Sequence, residues 1–262
     1  MDLKSITKST YLSEGLGALR LSKDVRTKKE LKKNFDINQN SEFSRSTCWT
    51  QINKRYLEDD GEKIMETPLV KLVDYGGETL NKELMYFHYL AAESTCKFTV
   101  RKLLYPRLSS EDRFELKRKE VKYFLNDYLE YSEATLNKTA NSIVKALVDF
   151  DIVDSGDKEI YVDFYEPTLI AFLYGLYAEY APGFEEMQEH NILNPSLEHI
   201  RDKSIFYKLF FLKPSLLESY LQLSWERGYL GYEPRGGLNQ YVLKHELLDK
   251  FANHLIAERE ES

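Results

Sequence analysis

Apolar residues recur at three- and four-residue steps along most of the chain, the signature of helices with one buried face. The clearest case spans residues 132–148. Leu136, Ala140, Ile143, Val144, Leu147 and Val148 share one side there, and Ser132 is placed to accept a bond from an orphan N–H of the first turn. Past Asp151 the period changes. Ile152 and Val153 begin an extended segment, residues 154–158 carry turn chemistry, and Ile160, Val162 and Phe164 alternate with Tyr161 and Asp163. A helix running straight into a hairpin predicts the back half of a winged helix-turn-helix module, a shape that binds nucleic acid or protein.

Leu12, Leu16, Leu19 and Leu21 predict a short first helix, and Thr27 is placed to cap KKELKKNF. Residues 36–43 are polar and predict a turn, after which Ser44 or Ser46 would cap STCWTQINKRYLE. The inward side of that helix would be Cys48, Ile52 and Tyr56, with Trp49 and Leu57 at the edges. Arg45, Thr47, Thr50, Gln51, Lys54 and Arg55 are then left outside. Helix, polar turn and a helix with a basic, amide-bearing outer face make a helix-turn-helix arrangement. Gln and Arg can read adenine and guanine edges, and Thr and Lys can hold phosphates.

An acidic connector follows at 58–66, then an apolar stretch at 67–73 and a turn at Gly76-Gly77. One long helix is predicted over 81–104, ended by Pro106, with a new helix opening at Ser109-Ser110 and taking up Phe114 and Leu116. Pro167 suits the first turn of TLIAFLYGLYAEYA, which Pro182-Gly183 would terminate. Ser196 should cap a short helix. Pro214 opens SLLESYLQLSWERG, where Ser215 and Glu218 have capping-box spacing and Gly228 is a natural stop. Strands at 229–232 and 238–243 flank Pro-Arg-Gly-Gly and form a second wing, and 244–262 predicts a final helix. Arg235 sits at the second wing's tip, whereas the first carries Asp154 and Asp157, which would repel phosphate.

The expected fold is therefore mainly α, with helix-turn-helix and winged-helix-like units and two short β-hairpin wings. Three units are expected: a helix-turn-helix-like unit at 1–66, central helices with the first winged unit at 67–165, and a C-terminal helical unit with the second wing at 166–262.

Composition narrows the function. Cys48 and Cys96 lack pairing or metal spacing and predict two reduced core thiols in a cytoplasmic protein. MDLKSITKSTYLSEG has no apolar h-region, and the most apolar run, at 169–180, falls short of the roughly 20 residues a membrane span needs. Net charge is −7, which argues against coating nucleic acid by charge alone. The charge is segregated, however. Residues 1–57 hold twelve Lys and Arg against six Asp and Glu, and 97–122 hold nine against four, so a basic face remains open to the fold. No glycine-rich phosphate cradle and no Gly-x-Ser-x-Gly elbow is present. Glu185, Glu186, Glu189 and His190 lack a second histidine four residues away, and the His190/His199 and His245/His254 pairs are each nine apart. His88, among Tyr86, Phe87 and Tyr89, reads as a packed histidine. No metal, no cofactor and no enzymatic activity are expected.

Four stretches together resemble the BrxA family of bacterial BREX phage-defence systems. They are NQNSEFSRSTCWTQINKRYLE, ELMYFHYLAAESTCKFTVRKLLY, LEYSEATLNKTANSIVKALVDFDIVD and SIFYKLFFLKPSLLESYLQLSWERGYLGYE, in that order across residues 10–243. The resemblance implies a non-enzymatic double-stranded-DNA-binding component acting beside a methyltransferase, a phosphatase-like protein and an ATPase. It would carry DNA contact onto Arg45, Thr47, Gln51, Lys54 and Arg55, and onto Asn137, Lys138, Asn141 and Lys145. Two other functions fit the same elements. A protein–protein adaptor would use exposed aromatics such as Tyr123, Tyr220 and Trp225. A transcriptional regulator would need a symmetric dimer and paired half-sites.

Overall fold

A computed structural model of the chain describes residues 9–37, 39, 41–59, 61, 63–156, 159–181, 195–235 and 238–261. The architecture is mainly α with two small antiparallel sheets, as the pattern predicts. Contacts divide the chain into a smaller unit of residues 10–92 and 249–262 and a larger one of Ser9 and residues 93–248.

The smaller unit begins with α1 (Leu12–Leu21), α2 (Lys28–Asn34) and α3 (Glu42–Tyr56). Thr27 caps α2 through the N–H of Glu30, as its position suggests. The cap of α3 is Ser41 rather than Ser44 or Ser46, because Glu42 and Phe43 already lie in the first turn. Two further helices follow, α4 (Pro68–Leu72) and α5 (Gly77–Ala92). α3 packs on α1 and on α5. Gly15 of α1 allows that closeness: a Cβ there would lie 2.8 Å from both Met85 and the Tyr56 ring. Burial pushes the Cys48 thiol up to about 12, Glu14 adding to the effect, so it stays protonated in this core.

The larger unit opens with α6 (Ser94–Thr99), a π-helical turn (Val100–Leu104) and α7 (Tyr105–Glu111). The predicted long helix thus breaks at Glu93, and the chain stays helical through Pro106. The π turn explains the continuity: the N–H of Tyr105 bonds the carbonyl of Val100, five residues back, and the next residue is a proline with no N–H to place. Then come β1 (Arg113–Glu115), α8 (Arg118–Asn126), α9 (Glu133–Asp149), β2 (Asp154–Ser155) and β3 (Ile160–Asp163). β1 pairs antiparallel with β3, which pairs with β2, so the sheet order is β1-β3-β2 with Phe114 opposite Val162. Phe114 and Leu116, expected on a helix, belong to this strand and its exit, and both are buried.

A second set follows as α10 (Leu169–Tyr180), α11 (Leu197–Lys203), α12 (Phe206–Leu209), α13 (Pro214–Glu226), β4 (Leu230–Arg235) and β5 (Leu238–Leu243). Thr168, not Pro167, opens α10, and Lys213 precedes α13 with no side-chain cap bond, so the Ser215/Glu218 box does not form. Gly228 stops α13 in the left-handed region at φ 80°. α10 is buried on every side, Glu179 included. Its carboxylate accepts from Ser204 Oγ (2.6 Å), Ile205 N (2.8 Å) and Phe206 N (3.2 Å) and so closes the start of α12. Finally α14 (Leu248–Glu260) joins the smaller unit, where Lys71 reaches Asp249 at 2.7 Å and Arg259 reaches the carbonyl of Tyr75 at 3.0 Å.

One plan recurs three times: a helix, a short edge segment, a helix, a long helix and a two-stranded wing, with α12 inserted before the long helix in the last copy. In each case the edge segment bonds the wing's return strand. In the central copy β1 bonds β3. In the last copy Ser196 bridges Gln240, and Tyr241 N donates to Pro195 O at 3.2 Å. In the first, Asp59 bridges Ile64, and Ile64 N donates to Arg26 O at 2.8 Å. The acidic connector at 58–66 therefore includes a rudimentary wing.

Candidate nucleic-acid interface

In each copy the long helix beside the wing, α3, α9 or α13, stands where the recognition helix stands in DNA-binding helix-turn-helix modules. On α3 the expected outer face is largely dismantled. Gln51 and Arg55, predicted outside, are 7% and 4% exposed. The reason is that α3 is covered on two sides, so part of its polar arc faces protein. Arg55 donates to the carbonyl of Thr10 at 3.3 Å and lies 4.6 Å over the Tyr89 ring. Thr47 is half-buried, and exposed Thr50 turns its hydroxyl back to the carbonyl of Ser46 at 2.9 Å. Arg45 and Lys54 are exposed, yet Arg45 donates to Gln39 O at 3.1 Å and Lys54 to Ala92 O at 3.0 Å.

On α9 the corresponding residues point outward. Asn137, Asn141 and Lys145 stand one turn apart, with Lys138 beside them, and all four are exposed. Ser132 caps the helix through Thr135 N at 3.3 Å, as predicted. Lys122 of α8 holds Glu133 in the first turn at 2.8 Å and keeps that carboxyl below its usual range. Lys145 is bonded to Asp149 at 2.6 Å. Among the described residues, Arg118 and Lys138 carry their charges with no carboxylate partner. An open groove of about 730 Å³ runs between this stripe and the wing, its polar wall made by Arg118, Asn141, Lys145, Asp149, Ser155 and Gly156.

The wing's acidity is met from within. Arg113 reaches Asp154 at 2.8 Å and Asp163 at 3.1 Å, with its guanidinium 4.7 Å over the Tyr161 ring. These exposed pairs add little stability. One guanidinium against two carboxylates still leaves the wing acidic, so the expected repulsion from Asp154 is reduced and not reversed. Asp157 lies outside the described residues.

No family model and no curated protein matches the chain. A solved structure titled "SspB crystal structure" is similar to it at a TM-score of 0.56 and 10% identity, covering 97% of this chain and 86% of that one. At that identity the likeness concerns the fold alone.

α13 carries different chemistry from α9. Glu218, Gln222, Leu223, Trp225 and Glu226 are exposed along it. The backbone of Arg235 pairs with Leu238 in the wing, and its side chain lies outside the described residues. Of the aromatics expected at the surface, Tyr123 and Trp225 are exposed, while Tyr220 is half-buried and donates to the carbonyl of Pro167 at 2.6 Å. Among the described residues no group of three or more His, Cys, Asp or Glu side chains could hold a metal ion, and no helix is long and apolar enough to cross a membrane.

Sequence reasoning passed over Arg113 and Arg118 as site residues. Their signal was the segment EDRFELKRKE, which was assigned to one helix. Phe114 flanked by Arg113 and Glu115 is the alternation of a short strand, and its recognition would have placed Arg113 at a sheet edge and Arg118 at a helix start.

Proposed function

We propose that the chain binds double-stranded DNA without enzymatic activity, through the backbone-facing surface of α9 and its wing. The observation that carries this reading is the exposed α9 stripe of Asn137, Lys138, Asn141 and Lys145, whose Asn141 and Lys145 line an open groove together with Arg118, with the wing carboxylates held by Arg113. Lys138 and Arg118 supply charge for phosphates, while Asn137 and Asn141 can bond phosphate oxygens or an adenine edge. The central copy of the fold thereby takes the role that the sequence pattern had assigned first to α3. The four stretches that resemble the BrxA family extend the proposal to a component of a bacterial BREX-type phage-defence assembly, cytoplasmic, beside a methyltransferase, an ATPase and a phosphatase-like protein.

Gel shifts of a duplex oligonucleotide at rising salt test the DNA reading. Affinity should fall steeply, because each neutralised phosphate releases counterions. Lys138→Glu combined with Arg118→Glu should abolish binding with no change in the unfolding midpoint. Lys138→Ala alone should flatten the slope of log affinity against log salt by about one. Salt-independent or absent binding, or a loss that follows Arg45→Glu instead, overturns the assignment to α9.

A further inference from the structure

α13 occupies the same place in its copy of the fold as α9 does in the central copy, but carries two glutamates and no lysine or arginine, where α9 balances two lysines against Glu133 and Asp149. Trp225 is 47% exposed, and its ring lies 5.6 Å from that of Tyr232 on β4. Tyr232 in turn lies 5.6 Å from Tyr241, its partner across the hairpin. An aromatic row therefore runs from the end of α13 onto the wing. Glu218 shares a side of the helix with Trp225, two turns earlier, and is close enough to Tyr241 to add to the rise that burial causes in that hydroxyl's pKa. Glu226 stands beside Trp225, with one carboxylate oxygen held by Gln222 at 2.8 Å. Among the described residues of α13, no lysine or arginine falls on this arc. Lys213 precedes the helix, and Arg227 lies about 200° round it from Trp225.

We propose that this face binds a cationic segment of a partner protein, with an arginine or lysine side chain laid over Trp225 and Tyr232 and held by Glu218 and Glu226. Charge complementarity selects that occupant. An indole face flanked by carboxylates attracts a guanidinium by its quadrupole and by charge-assisted hydrogen bonds, and the same carboxylates repel phosphate. Exposed tryptophan and tyrosine are also the side chains that anchor protein interfaces. The chain then has two ligand faces of opposite sign on two copies of one fold, and this second face does not depend on the DNA reading.

The test is a titration of the intact chain with a short oligo-arginine peptide, read by the fluorescence of Trp225 in a Trp49→Phe background. Calorimetry with Trp49 in place gives the same comparison without that substitution. Saturable binding is expected, weakened at least about ten-fold by Glu218→Gln with Glu226→Gln and by Trp225→Ala, and unchanged by Lys138→Glu. An oligo-glutamate peptide should give no signal. Binding indifferent to the α13 variants overturns the proposal. So does binding of a duplex oligonucleotide, with no peptide present, that Trp225→Ala abolishes, or concentration-dependent self-association that Trp225→Ala abolishes, which would assign the face to a second copy of the chain.

Discussion

α3 and α9 begin alike. Each starts from a serine cap, runs 15 or 17 residues, ends near a wing, and alternates apolar residues with amides and cations. They differ in how many neighbours cover them. α3 packs against both α1 and α5, whereas α9 leans chiefly on α8. A helix covered on one side leaves its polar arc in water, where charge can meet a ligand. A helix covered on two sides must turn part of that arc into protein, where each polar group needs a partner within the fold. The same residue types thus serve as internal bonding on α3 and as a surface on α9.

The largest expected effect tests that division directly. Arg55→Ala should destabilise the smaller unit by about 2–4 kcal/mol, because it removes a buried guanidinium from the Thr10 carbonyl and the Tyr89 ring. Lys138→Ala and Asn141→Ala should each stay within about 0.5 kcal/mol of the parent. Urea unfolding midpoints measure both. An Arg55 variant that keeps its midpoint and loses DNA would reverse the comparison.

A second effect reads the interior that covers α3. His88 is on α5, and burial pushes its pKa down to about 3. The folded state keeps the ring neutral, while the unfolded chain takes up a proton near the ordinary value of about 6.5. This contribution to stability is therefore intact above about pH 6.5 and is lost as pH falls from there towards 3, at about 1.4 kcal/mol per unit. Between about pH 7 and pH 5 the loss comes to about 2 kcal/mol. His88→Gln should remove that part of the acid sensitivity, and a variant with the parent's full pH dependence of the urea midpoint would contradict the assignment.

Much of this was legible in the residues. The Ser132 cap, the apolar side of α9 and the alternation at 160–164 are local patterns, and local patterns survive into the fold. Gln51 and Arg55 were not legible, because a polar residue on a helix does not report how many neighbours the helix has. The second neighbour of α3 depends on Gly15, forty residues earlier in sequence, letting α1 close onto Tyr56. β1 was hidden for a related reason. Three residues with one apolar centre make a strand only when β3, almost fifty residues later, supplies the pairing. The groove that frames the α9 stripe needs that strand, so the site was half visible: its helix could be read, and its opposite wall could not.

The smallest effect compares the two serine caps. Ser41 Oγ accepts from Ser44 N at 3.1 Å, and Ser132 Oγ accepts from Thr135 N at 3.3 Å. The geometry is equivalent, so Ser41→Ala and Ser132→Ala should each cost about 1 kcal/mol. Their effects on DNA should differ. Fraying the first turn of α9 loosens the start of the stripe that holds Asn137 and Lys138, so Ser132→Ala should lower affinity modestly. Fraying α3 disturbs only a helix whose polar side is already engaged in the fold, so Ser41→Ala should leave affinity unchanged. Paired denaturation and gel-shift measurements separate the two. Equal losses of affinity from both caps would return α3 to the interface.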